Sequence, residues 1–402
     1  MSQPNSNGHM LPLDDDIPAP EAVALQHSER LQQLIRDEIK NKGAMPFERF
    51  MQLALYAPGL GYYTAGSHKF GAAGDFVTAP EISPLFSQCL ANQCAEVLAQ
   101  SGGSILEFGA GSGRMAADLL QHLEQIGQLP DSYLILDLSP DLKQRQQQTI
   151  AEQVPHLLER VQWIESLPAA GFRGVMLGNE VLDAMPVSVF RKTETGLQEK
   201  FVELEDEGQI VASWQAVNSQ ITDAVTQLEI RLGAPLPVGY ESEINLSLDG
   251  WLQSLADCLQ QGAVLLIDYG YAQHEYYHAE RSMGTLICHY RHRAHDDVFK
   301  FIGLQDITAN VDFSAVKRAG EAAGLQLAGY TTQSAFLLGN GLEQLLAQLD
   351  PNDTQNFLRT SQAVKVLMMP SEMGERFKVI AFTRDMDARL SGFSMRDFSD
   401  RL

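Results

Sequence analysis

The stretch Ile105-Leu106-Glu107-Phe108-Gly109-Ala110-Gly111-Ser112-Gly113-Arg114 is the part of this sequence best suited to hold a small molecule. An apolar strand runs into an acid, then into three alternating glycines, and a helix comes next. Glycines at such a turn let the backbone pass close to a ligand lying across the strand ends. A dinucleotide fingerprint, G-x-G-x-x-G, needs glycine at 114, where Arg114 stands, so the turn does not fit a pyrophosphate. Asp137 closes the next apolar run 24 residues after Gly113, close to the ~20 that separates a glycine turn from a ribose-binding carboxylate. A plain tight connection would account for the glycines, but not for Glu107 and Asp137 together.

A second pattern points elsewhere. His274-Glu275-Tyr276-Tyr277-His278 fits the H-E-x-x-H signature of zinc hydrolases, which requires both histidines on one helical face. The segment comes after a strand end at Gly270 and lies among Tyr271, Tyr276 and Tyr277, without an amphipathic period around it. His289, His292 and His295 interleave with Arg291 and Arg293, whose charges oppose a bound cation. No metal is expected, and a metallohydrolase using His274 and His278 is the weaker rival. The aromatic and basic segment is expected to pack as a loop over the site or as a subunit contact, the latter giving a homodimer.

Positioning such groups takes an alternating β/α chain. Residues 105–108, 133–138, 161–164, 174–179 and 263–268 read as strands, with helices after Gly113, from Pro140 and over 250–260. Continuous apolar strands with helical crossovers predict an α/β fold, a parallel sheet covered on both faces. A helix at 313–323 and strands at 325–330 and 377–383 complete this core. Residues 1–27 read as a tail, and Ser28 as the cap of a helix over 29–42. Helices at 46–55 and 84–100 extend this into a helical cap, 28–100. The core is expected over 101–383, interrupted at about 187–245 by an insertion whose runs at 187–191 and 200–204 alternate like antiparallel strands. Residues 384–402 read as a second tail.

The acidic-x-Gly-x-Gly-x-Gly turn resembles motif I of S-adenosylmethionine (SAM) methyltransferases. There the turn wraps the methionine part and an acid on the second strand holds the ribose. That likeness implies cofactor roles for Glu107, Gly109, Gly111, Gly113, Asp137 and Leu138. Further segments occur in order: Gly74-Asp75-Phe76-Val77-Thr78-Ala79-Pro80-Glu81-Ile82-Ser83, Gly178-Asn179-Glu180-Val181-Leu182-Asp183-Ala184-Met185-Pro186-Val187, and Ile267-Asp268-Tyr269-Gly270-Tyr271. Gly284-Thr285-Leu286, His289-Tyr290-Arg291-His292-Arg293, Thr308-Ala309-Asn310-Val311-Asp312-Phe313 and Met373-Gly374-Glu375-Arg376-Phe377-Lys378 come after them. Together they resemble the MidA-like methyltransferases, whose mitochondrial members are assembly factors of respiratory complex I, over residues 30 to 383.

This resemblance implies a class I SAM-methyltransferase sheet, SAM as cofactor, and methylation of an arginine on a protein substrate, linked to respiratory complex assembly. Gly74, Asp75, Phe76 and Thr78 would fold over the cofactor. Asn179, Glu180 and Asp183 would stand beside the methyl group as catalytic residues, and Asp268, Tyr269 and His289 would contribute to the acceptor pocket. A guanidinium stays protonated at neutral pH, and planar carboxylates are its natural clamp. The bland reading of Glu180 and Asp183 is that they cap the next helix. The rival from another class is a non-catalytic SAM-binding assembly factor.

Composition sets the frame. The 402 residues hold 29 Lys+Arg against 51 Asp+Glu, a net charge of −22, with 45% hydrophobic and 20% charged residues. That is globular material. Its sign argues against coating nucleic acid or an anionic membrane, since phosphate binding needs a basic field. Part of the excess lies in Asp14, Asp15, Asp16, Glu21 and Glu29, and part in the acid-rich stretch 193–245, which could steer a basic protein segment. Four cysteines without a C-x-x-C pair indicate a reducing compartment. No run approaches the ~20 apolar residues of a membrane span. The N-terminus carries no base before Arg30, so neither a secretory nor a mitochondrial leader is expected, and a bacterial cytoplasmic location is.

Overall fold

The computed structural model describes residues 17–65, 78–350, 352–387 and 389–402. The chain divides into two compact units. One takes Val77–Leu182, Leu248–Gly270 and Val311–Leu402. The other takes the described residues among Met1–Phe76, with Asp183–Ser247 and Tyr271–Asn310. This grouping reflects contacts rather than the linear divisions at 28, 101, 187 and 384.

The first unit is built on a sheet ordered Gln326–Thr332, Phe377–Arg384, Leu259–Tyr271, Phe172–Asn179, Ser104–Phe108, Tyr133–Leu136 and Val161–Ile164, with Val311–Asp312 pairing Leu259–Tyr271. Neighbours from Leu259–Tyr271 to Val161–Ile164 run parallel. The strands are continuous apolar runs because both faces are covered: Ile105, Leu106, Val175, Met176, Val264 and Leu265 are all buried. Helices cross over where caps allow them to start. Ser83 and Ser139 accept from the amides of Leu85 and Leu142 at the heads of Pro84–Ser101 and Pro140–Gln153, each with proline in the first turn. The strand order reverses between Ser104–Phe108 and Phe172–Asn179, the switch point where open α/β sheets leave a crevice at their carboxyl ends.

The expected all-parallel sheet needs one correction. Phe377–Arg384 inserts between Leu259–Tyr271 and Gln326–Thr332 and is antiparallel to both. Burial on both faces makes a strand uniformly apolar whichever way it runs, so the sequence pattern does not record direction. Helices Gln333–Gly339, Leu342–Leu346 and Thr354–Met368 were not expected either.

The other unit carries a five-stranded antiparallel sheet. Its order is Met45–Pro46, Gly196–Leu204, Ser188–Thr193 and Glu241–Ile244, with Ile210–Ala216 also pairing Gly196–Leu204. Helices Ala22–Lys42, Phe47–Tyr56 and Ser219–Leu232 belong to the same unit, as does a small sheet of Arg293–His295, Ile287–Tyr290 and Asp306–Thr308. The first helix starts at Ala22, inside the expected tail. Ser28 is therefore not its cap; buried mid-helix, its hydroxyl donates to the Ile302 carbonyl at 2.8 Å. Among the described residues no helix is long and apolar enough to cross a membrane.

Residues 384–402 are not a loose tail. Leu390 and Phe393 are buried, and the Phe393 ring meets Phe336 edge-on at 5.8 Å. The amides of Ser391 and Gly392 donate to Glu96 and Gln93 at 3.0 and 2.9 Å. Phe393→Ala should therefore cost about 3 kcal/mol in urea unfolding, the order of a large-to-small core change. An unfolding curve superimposable on wild type would show that this segment does not pack.

Candidate functional site

The glycine turn is a cradle with two open positions and one closed one. Gly109, Gly111 and Gly113 all have left-handed backbones, at φ 64°, 52° and 83°. A Cβ on Gly113 would stand 2.8 Å from Gln146 Cα, so this glycine lets the turn lie against Pro140–Gln153. At Gly109 and Gly111 a Cβ would meet nothing within 4 Å. Those two positions face open space at the carboxyl end of the strand, as a ligand seat requires.

Gln146 locks this arrangement and is fully buried. Its Nε2 donates to Gly111 O at 3.2 Å and to Asp137 Oδ2 at 2.7 Å, while its Oε1 accepts from Trp163 Nε1 at 2.9 Å. Asp137 also accepts from Ser139 N at 2.9 Å. Burial pushes the Asp137 carboxyl up, and the Ser139 amide and Gln146 pull it back. Leu138 beside it is 64% exposed. Sequence reasoning names Gly111 and Asp137 but misses the glutamine that joins them. Its only signal is a polar residue on the inner face of Pro140–Gln153, four residues after the buried Leu142 and four before the buried Ile150.

Glu107 serves the cradle from inside the sheet. It is buried and accepts from the Tyr133 hydroxyl at 2.7 Å. Burial raises its carboxyl to about 7 against the Tyr133 hydrogen bond, with the Asp137 charge adding to the rise. Gly74, Asp75 and Phe76 lie outside the described residues. Thr78 heads the short helix Ala79–Ile82 without a side-chain cap bond. Glu81 in that helix accepts from the Ser112 hydroxyl in the glycine turn.

At the end of Phe172–Asn179 the chain does something unusual. Glu180 adopts a left-handed backbone, φ 54°, a strained state for a residue with a Cβ. Its amide donates to Ile267 O at 2.9 Å. Asn179 Nδ2 donates to Glu180 Oε1 at 3.0 Å, and Asn179 Oδ1 is buried with no hydrogen-bond partner among the described residues. Asp268, also buried, holds the turn: its Oδ2 accepts from Val181 N at 3.2 Å and Leu182 N at 2.9 Å. Asp268, expected in the acceptor pocket, thus ties the turn after Glu180 to the end of Leu259–Tyr271. Tyr269 packs edge-on against Phe377 at 5.5 Å. After Glu180 the chain forms a turn and no helix, so the reading of Glu180 and Asp183 as helix caps is ruled out.

Asp183 and His289 fall in the other unit, where both are buried. The Asp183 carbonyl accepts from Ala309 N at 3.0 Å. His289 is the cross-strand partner of Asp306, whose carboxylate accepts from the Tyr63 hydroxyl at 2.9 Å to each oxygen. Burial and the Asp306 charge hold the Tyr63 hydroxyl well above its ordinary range. His274 and Glu275 sit in the four-residue helix Gln273–Tyr276, with His278 beyond its end, so the two histidines do not share a helical face. Among the described residues no group of three His, Cys, Asp or Glu side chains could hold a metal ion.

Residues 89–331 match the family described as "Putative S-adenosyl-L-methionine-dependent methyltransferase". The chain belongs to this methyltransferase family. A Burkholderia thailandensis protein solved with bound S-adenosyl-homocysteine superposes with a TM-score of 0.91 at 44% identity, over 96% of this chain and 100% of that one. The Drosophila melanogaster protein arginine methyltransferase NDUFAF7 homolog is 30% identical over 91% of this chain and 87% of its own. The Danio rerio protein arginine methyltransferase NDUFAF7 is 29% identical over 84% and 82%. SAM is thus the cofactor of this methyltransferase. The open faces of Gly109 and Gly111 and the partly exposed Asp137 suit it, a ligand with an extended tail and a diol.

The raised Glu107 carboxyl carries a pH signature. Unfolded, it titrates near 4.5; folded, it keeps its proton to about 7. Its contribution to stability is therefore complete below about 4.5 and is lost as pH rises through 7. Glu107→Gln should flatten the slope of urea-unfolding stability against pH across that window and be the more stable form at pH 8. Some slope remains from Glu199, which burial also raises to about 7. An unchanged slope would contradict the buried, protonated state of Glu107.

Proposed function

We propose that the chain transfers a methyl group from SAM to an arginine side chain of a protein. The observation that carries this reading is the strand end at Asn179 and Glu180. A carboxylate is held in a strained backbone beside a buried amide oxygen without a partner among the described residues, and such strain clusters where geometry serves chemistry. The curated relatives, named protein arginine methyltransferases, support the same acceptor class.

When bound, SAM supplies an electrophilic methyl group on a sulfonium. The rest is positioning, since in-line displacement needs neither an enzyme nucleophile nor a metal. The Glu180 carboxylate suits the planar guanidinium, whose N–H groups only donate. It draws positive charge towards the nitrogens it pairs with, and receives at Oε the proton the guanidinium releases as the new bond forms. The amide oxygen of Asn179 accepts from a further N–H and fixes the plane. Asp183, three residues on, is the next carboxylate along the chain. Asp268 keeps Glu180 presented by holding the two amides after it.

The test is incubation of purified protein and methyl-labelled SAM with lysate, then acid hydrolysis and amino-acid analysis. Label should appear in methylated arginine. Glu180→Gln should reduce it by about 100-fold or more, while S-adenosyl-homocysteine affinity stays within about twofold. Label in another residue type, or full transfer by Glu180→Gln, would refute the proposal.

A further inference from the structure

Building on the arginine reading, we infer that the unit carrying Asp183 holds a seat for the acceptor's guanidinium, formed by the rings of Tyr56 and Tyr63 and the polar strand face of Asp306 and Thr308. Three segments distant in sequence are tied together there. Tyr56 and Tyr63 stack at 5.5 Å and 22°. The Tyr56 hydroxyl donates to Ala184 O at 2.9 Å, beside Asp183, and the Tyr63 hydroxyl donates to both oxygens of Asp306 at 2.9 Å. Ala309 N closes the circuit on Asp183 O at 3.0 Å.

The face of strand Asp306–Thr308 points to a ligand. Alternate residues of a strand share a face, so Asp306 and Thr308 stand together, with His289 and Ile287 opposite them. Ile307 and Cys288 between them enter the apolar core with Phe47 and Phe50. Thr308 is 1% exposed, and its Oγ1 has no hydrogen-bond partner among the described residues. A buried hydroxyl left unpaired is costly, and a fold that keeps one on the same strand face as a carboxylate has an acceptor waiting for a donor.

The chemistry selects the class of group. A guanidinium is flat, carries five donors and no acceptor, and stacks on aromatic faces while pairing with a carboxylate in its plane. An ammonium is a point charge that gains less from a stacked ring and a planar partner. A neutral amide gains nothing from the Asp306 charge. The family resemblance implies roles near the acceptor for Asp183 and His289; Tyr56, Tyr63, Asp306 and Thr308 would complete the set.

The experiment is calorimetric titration of the full chain, saturated with S-adenosyl-homocysteine, with Nα-acetyl-arginine methylamide and with its lysine counterpart. Wild type should prefer the arginine probe by about tenfold. Asp306→Asn should weaken that probe by about tenfold and Thr308→Val by about threefold, with S-adenosyl-homocysteine affinity kept in both and the thermal midpoint kept in Thr308→Val. Thr308→Val guards against a folding artefact, because its hydroxyl has no partner to lose among the described residues. Unchanged arginine-probe affinity in both variants, or no arginine preference in wild type, would overturn the seat. If wild type nevertheless labels arginine in lysate, the seat alone is wrong and the arginine reading stands. If no methylated arginine forms, the arginine reading falls as well.

Discussion

The amide of Gln146 holds the cradle in its working shape. A strand can end in a run of left-handed glycines only if something outside the strand fixes the turn, because glycine brings freedom and no contacts of its own. Here one buried amide donates to the Gly111 carbonyl and to Asp137, and its oxygen is fixed in turn by Trp163. Gly113 lies against the same helix at a distance that excludes a Cβ. The open faces of Gly109 and Gly111 and the carboxylate of Asp137 are thereby set relative to one another before any ligand arrives. Pre-organisation of this kind lowers the ordering cost of binding.

The carboxylates of this unit show how environment assigns work to one functional group. Glu107 lies within the sheet, bonded to Tyr133, and keeps its proton to about 7. It shapes the strand rather than meeting solvent. Asp137 lies at the strand end, partly exposed and bonded to an amide and a glutamine. Asp268 spends an oxygen on two successive amides, which holds Glu180 in a backbone state it would otherwise avoid. One of these four acids, Asp268, supports the turn that presents another, Glu180.

How much of this is legible in the sequence depends on the kind of signal. The glycine turn, Asp137 and the strand before Glu180 are legible because they are local: apolar runs, breakers and an acid at fixed spacing. Gln146 is not, since its partners come from three separate elements. The helix Ser219–Leu232 is readable in principle, from the Asn218 cap, buried Ile221, Val225 and Leu228 at helical spacing, and left-handed Gly233 after it. Its acidic surroundings and neighbouring strands mask that period. The antiparallel strand Phe377–Arg384 is misread in direction only, because burial on both faces removes the alternation that would have marked it. Tyr56 closes the helix Phe47–Tyr56 and Tyr63 follows it, and only tertiary structure sets them against Ala184 and Asp306.

The central claim is that SAM sits on the cradle that Gln146 fixes. Its most direct measurement is the affinity of Gln146→Leu for S-adenosyl-homocysteine by titration calorimetry, with circular dichroism to confirm the fold. Loss of the two donated hydrogen bonds should weaken binding by about tenfold or more in a protein that remains folded. Wild-type affinity in the folded variant would contradict the claim.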